Sequence, residues 1–140
     1  MMAMLLWLAP ALAWQSLAHE AGHVAAAWLC GARSVRLAWT RGRRGLGRWM
    51  VSPCARVDWD GPLARRRVRI VAAAGTLGAA VGCWGLCVVR ALPAALRGDL
   101  LLLPLADLLV NWLVGGALSP ALGLAADVTV WREGGAADDG

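Results

Sequence analysis

The chain contains no lysine, no tyrosine and no phenylalanine, a single asparagine, and two histidines and two glutamates in 140 residues. Charged residues make up only 16% of it against 59% hydrophobic, for a mean hydropathy of +0.58. So little charge argues against an ordinary soluble domain and makes a lipid bilayer the expected solvent. The 14 basic residues are all arginine, and 11 of them fall between Arg33 and Arg69. The net charge of +5 therefore describes one loop, not a basic surface, and no nucleic-acid partner is expected. The four cysteines, Cys30, Cys54, Cys83 and Cys87, form no Cys-x-x-Cys pair, which disfavours a thiolate metal site and reads as reduced packing residues. The nine tryptophans carry all the aromatic character, and Trp7, Trp39, Trp49 and Trp131 suit anchoring at a membrane interface.

The fold expected is that of a mainly helical, polytopic membrane protein in one domain, with three transmembrane helices and a small β-hairpin between the first and second. Residues 3–30 are apolar apart from Gln15, Ser16 and a cluster around His19, and are long enough to span. No positive charge precedes this apolar stretch, which favours a first span over a secretory signal peptide. Alternating stretches at Ser34 to Trp39 and Arg48 to Val51, joined by the glycine- and arginine-rich Arg41 to Gly47, predict the hairpin within loop 33–67. Residues 68–92, rich in Ala and Gly, give a second span suited to close helix contact. A connection around Pro93 to Asp99 leads to a third span at 100–118, broken by Ser119-Pro120, and residues 131–140 form a polar tail. The arginine loop is expected on the cytoplasmic side of an inner or plasma membrane, with possible support from anionic headgroups. This places the inner ends of the first and third spans together.

What the chain does have is His19-Glu20-Ala21-Gly22-His23 inside the first apolar run. Residues four apart lie one above the other on a helix, so both imidazoles can hold one metal ion with Glu20 beside it. A catalytic zinc takes three protein ligands and leaves a position for water, whose pKa falls to about 7 on the metal. No third histidine exists, so the remaining ligand must be an acid. Asp107 and Asp127 are embedded in or next to apolar sequence, where a carboxylate implies a function, while Asp58 and Asp60 belong to the loop, Asp99 to a helix start and Glu133 to the tail. Glu20 is the expected general base, taking a proton from zinc-bound water as it attacks a peptide carbonyl and passing it to the leaving amine. Asn111, alone of its kind in an apolar span, can supply hydrogen bonds to an unwound substrate strand or link helices.

The arrangement resembles the site-2 protease family of intramembrane zinc metalloproteases over nearly the whole chain. The carriers are the motif helix ending in His19-Glu20-Ala21-Gly22-His23, the hairpin-like insert, the small-residue second helix, and a third helix with Asn111 followed by Pro120 and Asp127. Ala73-Ala74-Gly75-Thr76-Leu77 is similar to the Ala-Gly-Pro-rich stretch that opens the family's second core helix, with Thr76 where proline is usual. The family's asparagine is normally followed at shorter range by proline and an Asp-Gly pair, whereas here Asp127 precedes Val128. The resemblance implies a zinc-dependent endopeptidase cutting membrane-associated proteins, with His19, His23 and Asp127, ahead of Asp107, as ligands, Glu20 as base and Asn111 at the substrate. The other readings are a pseudoprotease or scaffold of the same fold and a metal-binding membrane protein without hydrolysis. So small a core can also call for a partner chain or a second copy to shield the site.

Overall fold

The computed structural model describes residues 2–41, 51–60, 65–89 and 91–114 of the chain. Helix α1, Met2–Leu29, is followed by an antiparallel hairpin of β1, Ser34–Arg41, and β2, Val51–Asp58. Helices α2, Arg65–Cys87, and α3, Ala94–Leu108, follow, and α3 runs on into a π-helical turn, Leu109–Val114. The mainly helical chain with one small sheet matches the expected class. Asp127, Pro120 and the polar tail lie outside the described residues.

Helix α1 holds its course through Pro10, which has no N–H to give the preceding turn, because alanine and leucine dominate its first half. It stops at Gly31, whose φ of 81° suits a residue without Cβ. The Gly31 N–H donates to the Trp28 carbonyl (3.0 Å) and the Ala32 N–H to the Ala27 carbonyl (3.0 Å), the paired bonds of a Schellman end. The chain then turns straight into β1, with Ser34 opposite Asp58 and Arg41 opposite Val51.

Three boundaries differ from the sequence reading. The second strand runs from Val51 to Asp58 instead of ending at Val51, because Pro53, which signals against a strand interior, is tolerated where both strands are edges. Helix α2 ends at Cys87, short of residue 92. Helix α3 begins at Ala94, not at Leu100: Pro93 serves as its N-cap, and Gly98 and Asp99, which resemble a helix start, lie inside it. Asp99 and Leu100 are both buried there, so packing outweighs the local signal.

The interior mixes polar and small apolar residues, while many large apolar side chains are exposed. Gln15, His19, Glu20, His23, Asp99 and Asp107 are buried, whereas Leu17, Trp28, Leu77, Val81, Leu101, Leu102, Leu105 and Val110 face outward. One apolar cluster inside consists of Ala11, Cys83, Leu100 and Leu103, with Leu86, Cys87, Leu92 and Leu96 against them, and Ala26, Ala27, Val68, Ala72 and Ala79 are buried elsewhere. Where the sequence predicts three spans, one described helix, Arg65–Cys87, is long and apolar enough to cross a membrane. Helix α3, at 15 residues, reaches only ~22 Å at ~1.5 Å per residue. None of the four cysteines is bridged.

Candidate metal centre

The centre sits where α1 crosses α2, and glycine sets the distance between them. A Cβ on Gly78 would meet the Ala18 carbonyl oxygen at 2.5 Å and the Gly22 Cα at 2.7 Å, and one on Gly22 would run into the Ala74 carbonyl. The two backbones are therefore in contact, the close approach that small residues permit. Tryptophans fasten the seam and its neighbours. Trp14 donates from Nε1 to the Gly82 carbonyl (3.1 Å), Trp84 to the Leu101 carbonyl (3.3 Å), and Trp112 to Thr76 Oγ1 (2.9 Å).

Against this seam the two histidines are turned by their Nδ1 atoms. His23 Nδ1 lies 2.7 Å from the Val71 carbonyl oxygen of α2, and His19 Nδ1 lies 3.1 Å from Asp107 Oδ2 of α3. A carbonyl only accepts, so His23 donates from Nδ1, and the carboxylate beside His19 favours a proton on Nδ1 there too, which leaves the two Nε2 atoms to share a proton or a cation. The two Nε2 atoms stand 3.1 Å apart, in rings set edge to face at 79°. Two lone pairs at that distance repel unless a shared proton or a cation lies between them. Two nitrogens each ~2.0–2.1 Å from one tetrahedral zinc would be about 3.3 Å apart, close to the observed separation.

Glu20 completes the group: one ligand atom from each of His19, Glu20 and His23 lies within 4.8 Å of the others, and all three residues are buried. The space beside the rings is kept open by Gly75. A Cβ there would collide with His23 Nε2 and stand 2.6 Å from His19 Nε2. The donor set, the facing lone pairs and the missing methyl all fit a metal ion at this point.

Asp107 and Asn111 of the third helix and its extension meet each other, and Asp107 also meets α1. Asp107 meets His19 at Nδ1, on the far side of the ring from the Nε2 atoms that face each other. Asn111 donates from Nδ2 to Asp107 Oδ1 at 3.0 Å, which commits its amide to a neighbouring turn. Asp127 lies outside the described residues. Sequence reasoning missed Gln15, which donates from Nε2 to Asp107 Oδ1 at 2.6 Å, and the closeness of Gly75 to the two imidazoles. The spacing carried a signal: Gln15, His19 and His23 repeat every four residues on one face of α1, as Asp107 and Asn111 do across the end of α3.

No family model, curated protein or solved structure matches the chain. The reading of the site therefore stands on its own atoms.

The hairpin, by contrast, carries its charge in the open. Ser34 Oγ donates to Asp58 Oδ2 at 2.6 Å, Arg36 approaches the same oxygen at 3.5 Å, and Arg33 pairs with Asp60 at 3.4 Å. The Ser34 hydroxyl above all, against an opposing desolvation and with help from the Arg36 and Arg33 guanidinium groups, holds the Asp58 carboxyl below its ordinary value.

Proposed function

We propose that the chain is a zinc-dependent endopeptidase working within a bilayer, akin in design to the site-2 protease family. One observation carries the proposal: two buried histidines, each held at Nδ1, converge their Nε2 atoms on a gap kept open by Gly75, with Glu20 alongside. Zinc in that gap would supply an activated water near neutral pH and polarise a peptide carbonyl. His19 and His23 would hold the ion, with Asp127 as the proposed third ligand. Glu20 would take the proton of the attacking water and deliver it to the nitrogen of the departing amine. Burial of all three side chains keeps bulk water from competing.

The bilayer setting is supported by the apolar length of α2 and by the outward leucines of α1 and α3. Together α3 and the π-turn cover residues 94–114, about 31 Å at ~1.5 Å per residue, so three spans are proposed. The arginines gather at the end where α1 leaves and α2 enters, which we assign to the cytoplasm. Substrates would be membrane-associated proteins with a locally unwound segment.

The test is zinc per chain in detergent-purified protein together with cleavage in cells. Near one zinc in the wild type, lost in His23→Ala and in Asp127→Ala, and a cleavage product abolished by Glu20→Gln, would support the proposal. No zinc in folded wild type would leave a pseudoprotease or scaffold, and zinc without a Glu20-dependent product would leave a metal-binding protein.

A further inference from the structure

The buried carboxylate of Asp107 receives three donors from two helices. Oδ1 accepts from Gln15 Nε2 (2.6 Å) and Asn111 Nδ2 (3.0 Å), and Oδ2 faces His19 Nδ1 (3.1 Å). Amide nitrogens only donate, so Gln15 and Asn111 fix the carboxylate with Oδ1 occupied and Oδ2 turned to the imidazole. The arrangement is built from two matched steps, Gln15 to His19 on α1 and Asp107 to Asn111 across the end of α3. Each step is one helical turn, so all four side chains meet at one level. Asn111 belongs to the π-turn, a feature that recurs at functional sites. The next residue, Trp112, ties that turn to Thr76, one residue beyond Gly75.

We propose that Asp107 is a positioning residue for the metal: steadied by Gln15 and Asn111, it keeps the His19 proton on Nδ1 and aims the Nε2 lone pair at a divalent cation. Asn111 thus acts through Asp107 and not on substrate. The inference rests on the metal-site reading above and adds that the affinity of the site is set from α3. A histidine without such a partner populates both tautomers, and a cation must then select the competent one. Partners of this kind are commonly worth 10–100-fold in metal affinity.

The experiment uses the full chain in detergent micelles with 15N-labelled histidine. Zinc affinity is measured by chelator competition, and the ring tautomers of the metal-free protein by long-range 1H–15N correlation. The chain has only two histidines, so His23→Ala separates their signals. Asp107→Asn keeps the shape of the side chain, and Asn111→Ala and Gln15→Ala remove only the steadying amides. Expected for Asp107→Asn is zinc binding about 10–100-fold weaker but still near one ion per chain at saturation. In the same variant the His19 signals should become a mixture of tautomers, with His23 unchanged. Asn111→Ala and Gln15→Ala should shift both readouts in the same direction by less.

Unchanged affinity and tautomer in Asp107→Asn would overturn the proposal. So would complete loss of zinc at saturation as in His23→Ala, because Asp107 would then be a ligand itself. Absence of zinc from the wild type would remove the metal reading, while the tautomer comparison would still decide whether Asp107 governs His19.

Discussion

Two aspartates of this chain have similar company and opposite settings. Asp58 in the hairpin takes a hydroxyl and a guanidinium, and its side chain is 59% exposed. Asp107 takes two amides and an imidazole, and its side chain is 5% exposed. Water competes for every contact of the first and screens its charge, so exposed pairs of this kind are worth little. Around the second there is no such competition, and each contact fixes the direction of its partner. The contrast separates a small buried polar network, in which contacts fix orientation, from a hairpin whose charges lie in the open.

The comparison is most easily broken at Glu20. Exchanging one oxygen for nitrogen in Glu20→Gln should lower cleavage by about 100–10,000-fold with zinc retained. The same exchange in Asp58→Asn should leave both readouts unchanged, as followed by product formation and metal analysis. A hairpin variant with the larger effect would place the chemistry at the membrane surface and not in the interior.

The next effect concerns the seam. Gly78→Ala forces apart the backbones at Ala18 and Gly22 and should destabilise the protein by about 1–3 kcal/mol, read as a lowered midpoint of thermal unfolding in detergent. Ala38→Gly in the hairpin, where no helix seam is involved, should cost less, about 0.5–1 kcal/mol from strand entropy. Equal losses would show that the two regions unfold as one unit.

The smallest effect is that of acid on the hairpin. The carboxyl of Asp58 is lowered in the folded chain, so its contribution is complete above the ordinary carboxylate value of about 3.9 and fades as pH falls through the lowered folded value. Amide exchange across β1 and β2 should therefore be flat from neutral pH to about 5 after correction for intrinsic exchange rates. Protection should fall only at more acid pH, and less so in Asp58→Asn. A loss already present near neutral pH would point to a different titrating group.

Much of the scaffold was legible because it is written in local period. Four-residue spacing put His19, Glu20 and His23 in one group on α1, and two-residue alternation marked the hairpin. Two boundaries shifted for different reasons: Gly98 and Asp99 look like a helix start yet lie inside α3, where Asp99 is buried, and Pro53 looks like a strand breaker yet sits in a strand with a free edge. Asp107 shows a deeper limit. A carboxylate in an apolar run signals a function, but whether it meets Nδ1 or Nε2 of a histidine 88 positions away depends on how α3 is set against α1. The same holds for Asn111, whose partner proved to be its own neighbour one turn back.

Gly75 has a consequence in mutational terms. Every glycine codon lies one base change from an alanine codon, so a single nucleotide substitution would place a methyl group in the gap between the two imidazoles. Such a chain would keep His19, Glu20 and His23 intact and would still be recognised by its motif, yet it would have no room for the ion. In relatives of this protein, the residue at position 75 should therefore distinguish competent sites from retired ones better than the histidines do.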